Sequence, residues 1–149
     1  VTADTPARLV EKLARGKCLA VAKDHPGAVV LGCDTVVDVG GEVFGKPHSV
    51  EDAKRMLRAL SGATHEVHTG VCVSDGLRTE SFVDSCKVTF FPIPEEEIDA
   101  YTATKEPYDK AGAYAIQGRA ALWLDRLEGD YYTIMGLPVS RTARLLGRF

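Results

Sequence analysis

The sequence predicts one α/β domain, residues 1–149, with a mixed, twisted sheet, helices on both faces and an antiparallel extension. Segments with helical periodicity alternate with short apolar runs, which is typical of this class. The run at residues 28–31 is continuous and rich in β-branched residues, as in a strand buried on both faces. Residues 66–73 and 82–91 alternate loosely across a turn at 74–76, which indicates an antiparallel meander. The length of 149 residues suits a single domain.

Composition excludes several classes of protein. Hydrophobic residues make up 45% of the chain and charged residues 26%, which is ordinary for a globular protein in water. The net charge of −3 argues against broad nucleic-acid binding. No apolar run is long enough for a transmembrane helix, and residues 1–4 lack the basic and apolar regions of a signal peptide. We therefore expect neither nucleic acid nor a membrane as partner.

The cysteines predict a reducing compartment. Cys18, Cys33, Cys72 and Cys86 form no CxxC pair, and most of them lie in apolar segments. We expect buried, reduced thiols in a cytoplasmic protein. No group of histidines and cysteines has zinc-ligand spacing.

The first helix is predicted from Pro6 to about Lys23, with Thr5 as its N-cap. Its predicted apolar stripe is Val10, Leu13, Ala14, Cys18 and Val21. Lys17 falls inside that stripe. Either its aliphatic stem packs while the ammonium reaches water, or the ammonium serves a site.

The segment 28–47 is the centre of the sequence. Asp34 lies among apolar residues, where a carboxylate is costly unless it is paired, binds a metal or lies at the open end of the sheet. Gly40 and Gly41 predict a tight hairpin that returns through residues 42–44 to Lys46, twelve residues after Asp34. Two interpretations remain open: a plain hairpin with a structural ion pair, or a functional carboxylate and ammonium.

The rest of the chain alternates predicted helices, strands and loops. Ser49 is expected to cap a second helix that Gly62 ends, with an apolar stripe at Ala53, Met56, Leu57 and Leu60. A short acidic helix at 95–101, a polar loop at 104–118, strands at 121–127 and 131–135, and a last helix from Pro138 follow. That last helix is expected to turn Val139, Ala143 and Leu146 inward.

Two histidines lie on the first strand of the predicted meander. His65 and His68 are three residues apart, which places them on opposite faces of a strand. We therefore favour exposed side chains, or a place at the rim of a cleft, over a shared metal site.

Several sequence blocks resemble a known family. The segment LGCDTVVDVGGEVFGKP at 31–47 looks like the signature of the Maf (septum formation) family of nucleotide pyrophosphatases. Further matching blocks follow in family order, at residues 60–62, 64–71, 109–118, 129–132 and 136–138. The resemblance implies a Maf/ITPase-like fold with two lobes around a cleft. The family's opening strand and its Ser-x-Ser-Pro-Arg-Arg loop have no counterpart, so the domain is expected to lack its first strand and phosphate-binding loop.

The resemblance also implies an activity and a site. Family members hydrolyse nucleoside triphosphates to the monophosphate and pyrophosphate with a divalent cation, Mg²⁺ or Mn²⁺. Asp34 is then expected to be the base for the attacking water or to hold the metal. Lys17 and Lys46 are expected to bind phosphate oxygens. A homodimer is the family's expected state.

The subfamily follows from two short motifs. Asp34-Thr35 and Ile116-Gln117-Gly118 resemble those of members that act on dTTP and UTP. Gln117 is expected to bind the base, because an amide offers both a donor and an acceptor, and Thr35 to shape the pocket. The alternatives are a 7-methyl-GTP pyrophosphatase and a non-catalytic nucleotide-binding regulator of cell division.

Overall fold

The computed structural model describes residues 2–149. Val1, one of the four residues considered above for a signal peptide, lies outside the described residues. The helices are α1 (Pro6–Ala22), α2 (Val50–Leu60), α3 (Glu95–Thr102), α4 (Tyr131–Met135) and α5 (Val139–Leu146). The strands are β1 (Val30–Val39), β2 (Glu42–Phe44), β3 (Thr64–Ser74), β4 (Thr79–Phe90) and β5 (Leu124–Glu128). Short 3-10 turns span Glu106–Asp109, Ala111–Ala113 and Arg119–Trp123.

The strands form one sheet in the order β2-β1-β3-β4-β5. The outer pairs are antiparallel, with Val37 opposite Phe44 in one and Val88 opposite Leu127 in the other. This architecture confirms the predicted α/β class.

The chain divides into two compact units. The first unit comprises the residues up to Thr35 together with His68–Ser85 and Asp130–Phe149. The second comprises Val36–Val67 and Cys86–Gly129. The first therefore holds α1, α4 and α5, and the second holds α2, α3, the 3-10 turns and the β1–β2 hairpin.

Helix α1 has the predicted ends but a different buried face. Thr5 accepts a hydrogen bond from the amide of Arg8, as expected of an N-cap. The buried residues are Val10, Ala14, Cys18 and Ala22. Lys17 and Val21 point to solvent, so the prediction that both lie in the core stripe is wrong. The reason is that the buried residues recur at every fourth position, which advances roughly 40° around the helix axis at each step. Toward the end of α1 the contact line has therefore turned away from Lys17 and Val21.

Strand β1 is less buried at its start than an apolar run predicts. Val30 packs against the core beneath α1, whereas Leu31, on the other face, is 40% exposed. Burial is complete only later, at Val36 and Val37. The expectation of a strand buried on both faces is therefore wrong for residues 28–31, because only one face is covered there.

The β1–β2 hairpin and α2 follow the sequence prediction. Gly40 and Gly41 both have positive φ angles, 59° and 94°, as a two-residue type I′ turn requires. Ser49 caps α2 by accepting from the amide of Asp52. All four residues of the predicted α2 stripe are buried.

His65 lies in the core of the second unit rather than at a surface. Its Nε2 is 2.7 Å from the hydroxyl oxygen of Tyr114, and its ring meets Phe90 and Tyr114 edge to face. Within residues 2–149 its Nδ1 has no hydrogen-bond partner. Burial lowers the pKa of His65 to about 4. His68 is also buried and bonds to Ser85 in the first unit, so the first of the two alternatives, exposed side chains, is wrong for both histidines.

Acid is expected to destabilise the fold through His65. The unfolded chain binds a proton at this ring below about pH 6.5, whereas the folded chain does so only near pH 4. Stability therefore falls as the pH drops through that window, by about 2 kcal/mol between pH 7.5 and pH 5. Urea unfolding of the parent and of His65→Phe at the two pH values measures the difference.

The exposed His48 supplies the control for that experiment. His48→Gln should keep the pH dependence of the parent, and His65→Phe should flatten it. An equal loss of unfolding free energy in the parent and in His65→Phe would contradict the assignment.

The C-terminal region differs from prediction in three places. Residues 121–123 end a 3-10 turn, so the strand predicted at 121–127 begins only at Leu124. Residues 131–135 form helix α4 instead of a strand, because Asp130 accepts from the amide of Tyr132 and Gly136 ends the helix with φ 113°. In α5, Thr142 and Leu145 are buried, whereas Val139, Ala143 and Leu146 are exposed. The buried face of α5 is therefore displaced by one residue from the predicted one.

Among residues 2–149 no helix is both long and apolar enough to cross a membrane. All four cysteines are free, and Cys18, Cys72 and Cys86 are buried as predicted, whereas Cys33 is only half-buried.

Candidate active site

Asp34 and Lys17 meet in the first unit. The Lys17 Nζ lies 3.4 Å from the Asp34 Oδ1, with the carboxylate side chain 23% exposed and the lysine side chain 60% exposed. The same carboxylate oxygen accepts a hydrogen bond of 2.9 Å from the amide of Thr35. An exposed ammonium beside a mostly covered carboxylate is reachable by an anionic ligand, which would replace Asp34 as its partner.

Two glycines bring α1 close enough to make this pair. A Cβ on Gly32 would lie 2.8 Å from the amide nitrogen of Cys18 and 2.9 Å from the carbonyl oxygen of Ala14. A Cβ on Gly70, in β3, would lie 2.6 Å from the carbonyl oxygen of Val10. The helix backbone therefore rests directly on the sheet. Gly32 and Asp34 are two residues apart on one face of β1, which places the carboxylate beside Lys17.

Thr35 leaves β1 on the opposite face. Its Oγ1 is 2.8 Å from the Oγ1 of Thr69, which donates to the carbonyl oxygen of Thr133 at 2.8 Å. These bonds connect the residue after Asp34 to β3 and to α4. The role of Thr35 in substrate binding stays a prediction.

The threonine chain formed by Thr35, Thr69 and Thr133 ends at an ion pair. The Thr133 hydroxyl donates to the Oδ2 of Asp84, whose Oδ1 lies 3.0 Å from a guanidinium nitrogen of Arg141. Asp84 is mostly covered, with 14% of its side chain exposed. The carboxylate is therefore paired and hydrogen-bonded, which makes its burial tolerable.

Cys33 adjoins the Lys17–Asp34 pair. Burial raises its pKa, the Lys17 ammonium lowers it and the Asp34 carboxylate raises it. The net direction is upward, so Cys33 stays a thiol near neutral pH. It packs against the core of Val71, Val73 and Leu145. We assign it a structural role, because the thiolate is the reactive form of cysteine.

Lys46 lies in the second unit, just after β2, and its side chain is exposed. The preceding carbonyl, of Gly45, accepts a hydrogen bond of 3.1 Å from the amide of Gly112. The Lys46 ammonium also contributes to lowering the pKa of Asp109, although Lys110 has the larger effect. The lysine and the loop at 109–118 are thus neighbours within this unit.

Gln117 is exposed on a tight turn of the second unit. The amide of Gly118 donates to the carbonyl oxygen of Ala115 at 3.0 Å, which closes the turn. Ile116 is buried and Gln117 is exposed. The turn is therefore held to the core by Ile116, and the side chain of Gln117 is accessible from solvent. An exposed amide of this kind can hydrogen-bond a ligand.

Two carboxylates of the second unit suit a hard cation. Asp38 and Glu66 offer oxygens that lie within 4.8 Å of one another. Oxygen ligands are those preferred by Mg²⁺ and Mn²⁺, so the residues present fit such an ion.

The five residues predicted from the sequence thus fall into two groups. Lys17, Asp34 and Thr35 belong to the first unit, where Lys17 and Asp34 form an ion pair. Lys46 and Gln117 belong to the second unit. The sequence analysis missed the contacts of Thr69, Thr133, Asp84 and Arg141, because no short motif marks hydrogen bonds between distant segments.

Comparisons with known proteins identify the family of the chain. The family model described as Maf-like protein matches residues 2–149. A dTTP/UTP pyrophosphatase of Bacillus cytotoxicus is 48% identical over 145 residues, which are 97% of this chain and 76% of the relative. Proteins of the same name from Bacillus velezensis and Bacillus mycoides are 48% and 47% identical, with 77% and 76% of their lengths covered.

Proposed function

Because the chain belongs to the family of Maf-like proteins, we propose that it hydrolyses dTTP and UTP to the monophosphate and pyrophosphate. Relatives that are 47–48% identical are named for this activity. The structural observation that carries the proposal is the Lys17–Asp34 pair, at 3.4 Å, in which Asp34 belongs to the segment with the family signature. It joins a carboxylate suited to water activation with an exposed cation suited to phosphate.

The reaction requires a base and compensation of charge. Water adds to the α-phosphorus, the bond from that phosphorus to the oxygen bridging to the β-phosphorus breaks, and pyrophosphate leaves with the electron pair of that bond. Asp34 takes the proton of the attacking water or holds the metal that activates it. Lys17 and Lys46 bind phosphate oxygens and offset the charge that develops on the leaving group.

A divalent metal supports the same step. Maf pyrophosphatases generally depend on a metal, and the carboxylates described above fit one. We propose Mg²⁺ or Mn²⁺, with Asp34 as the residue that would hold it. When bound, it would offset phosphate charge.

Gln117 is proposed to select the base. Its amide presents one donor and one acceptor edge, which pair with the imide of uracil or thymine. A site that hydrogen-bonds one base edge rejects another strongly, because its own polar groups are then left unpaired.

The test is a substrate panel on the protein and on Gln117→Glu. We expect kcat/KM for dTTP and UTP to exceed that for CTP, GTP and 7-methyl-GTP. We expect Gln117→Glu to reduce the preference roughly tenfold, since a carboxylate cannot donate. Steady-state pyrophosphate release with saturating Mg²⁺ or Mn²⁺ measures both.

Leu122→Glu is the matched control, because it adds the same charge at a 79% exposed position of the same unit. It should leave the preference unchanged. A parent preference for 7-methyl-GTP would refute the pyrimidine assignment, and nucleotide binding without pyrophosphate release would refute the enzyme.

The nucleoside triphosphate is the one partner this function requires. We propose a cytoplasmic homodimer that binds neither nucleic acid nor membrane. The free cysteines support a reducing compartment, and the net charge of −3 disfavours nucleic acid. Sedimentation equilibrium of the protein measures the oligomeric state.

A further inference from the structure

The turn that presents Gln117 is attached to the second unit at both of its flanks. Gln117 lies two residues after Ala115 and two residues before Arg119. The amide of Ala115 donates to the hydroxyl oxygen of Tyr101 at 3.1 Å. The amide of Arg119 donates to the Oε2 of Glu106 at 3.3 Å.

Tyr101 and Glu106 are also neighbours. Tyr101 is 1% exposed, and its hydroxyl oxygen accepts from the amide of Ala115. Burial first, and then the nearby Glu106 carboxylate, raise the pKa of Tyr101, so the hydroxyl keeps its proton.

Glu106 also touches the turn at its last residue. A Cβ placed on Gly118 would lie 1.7 Å from the Oε1 of Glu106, so the carboxylate occupies the space of the missing side chain. A side chain at position 118 would displace the Glu106 carboxylate from this place. The segment 115–119 is therefore held by two backbone amides and one close packing contact, all from a single tyrosine–glutamate pair.

We propose that Tyr101 and Glu106 are positioning residues that hold Gln117 in the orientation in which it reads the pyrimidine base. This inference rests on the proposed function. Neither residue is proposed to touch the substrate. Their effect is to fix the backbone on both sides of Gln117, so that its exposed amide is ordered before the base arrives and loses less entropy on binding.

The test uses Tyr101→Phe and Glu106→Gln with two matched controls. Tyr108→Phe also removes a tyrosine hydroxyl, one that donates to the carbonyl oxygen of Thr102. Glu95→Gln removes a carboxylate charge of the same unit, one that pairs with Arg58. Tyr108 and Glu95 bond to Thr102 and Arg58, which lie outside residues 115–119.

The first measurement is backbone hydrogen exchange of residues 115–119, which does not depend on activity. Tyr101→Phe and Glu106→Gln should increase exchange at Ala115 and Arg119 roughly tenfold or more, because each amide loses a partner or gains a competing donor. Both controls should exchange like the parent. Unchanged exchange in the two test variants would overturn the proposal, even if the protein proved not to be a pyrophosphatase.

The second measurement is the ratio of kcat/KM for dTTP to that for GTP. Both test variants should lower this ratio roughly threefold to tenfold, mainly through KM for dTTP. In a Gln117→Ala background Tyr101→Phe should no longer change the ratio, since the two residues act as a unit. If the ratio stayed unchanged despite faster exchange, or if Tyr101→Phe changed the ratio equally in the Gln117→Ala background, Tyr101 and Glu106 would have only a structural role.

A parent without pyrimidine preference would refute the proposed function. The exchange rates alone would then decide whether Tyr101 and Glu106 fix the turn.

Discussion

Replacing Asp34 with asparagine is expected to lower kcat for dTTP by roughly a thousandfold, within the range typical of a lost general base. The asparagine oxygen can still accept from the amide of Thr35, so the local backbone keeps its hydrogen bond. What is lost is the negative charge that takes a proton or holds a cation. Pyrophosphate release under saturating nucleotide and metal measures kcat, and urea unfolding checks the fold.

A second aspartate–lysine pair provides the control. Asp99 lies 3.1 Å from Lys54 in the second unit, so Asp99→Asn removes the same kind of ion pair away from the predicted site residues. It should retain the parent's kcat. Activity of Asp34→Asn within tenfold of the parent would refute both roles assigned to Asp34.

Replacing Gly32 with alanine is expected to impair both folding and activity. The new Cβ would lie within 3.0 Å of the Cys18 and Ala14 backbones, which cannot move without shifting α1. Overpacking of this kind costs roughly 1–3 kcal/mol of unfolding free energy. The shift also moves Lys17 relative to Asp34, so kcat/KM should fall further than the folded fraction. Urea midpoints and kcat/KM on the same preparations separate the two effects.

Gly16 is the matched control on the same helix. A Cβ there meets nothing within 4 Å, so Gly16→Ala should raise the unfolding free energy by roughly 0.5–1 kcal/mol through helix propensity. Its activity should match the parent's. If Gly32→Ala proved as stable and active as Gly16→Ala, the close approach of α1 to β1 would not be what positions Lys17.

The sequence predicted most elements because their signals are local. Caps at Thr5 and Ser49 and the Gly40-Gly41 turn depend on a few neighbouring residues, and the structure confirms them. Residues 131–135 were predicted as a strand because tyrosine favours strands, yet the caps Asp130 and Gly136 favour a helix. Short segments with opposing signals are decided by such terminal contacts.

The contacts within the candidate site were harder to predict than the identity of its residues. The family resemblance implied Asp34, Lys17 and Lys46 as site residues, and the hairpin suggested Lys46 as the ion-pair partner of Asp34. The structure instead pairs Asp34 with Lys17. That pairing depends on where α1 crosses β1, which Gly32 permits through a backbone contact. Neither periodicity nor spacing records a contact between distant segments, so it could not be read from the sequence.

The threonine chain behind β1 has a direction. Thr69 has one hydroxyl proton and gives it to the carbonyl oxygen of Thr133, so Thr69 must accept from Thr35. The hydroxyl proton of Thr35 is then already used in the hydrogen bond to Thr69, so the Thr35 oxygen can form a further hydrogen bond only as an acceptor. A backbone carbonyl in α4 thereby fixes the polarity of a side chain two hydrogen bonds away, next to Asp34. Valine at position 69 would abolish that polarity while nearly preserving the shape, whereas serine would retain it.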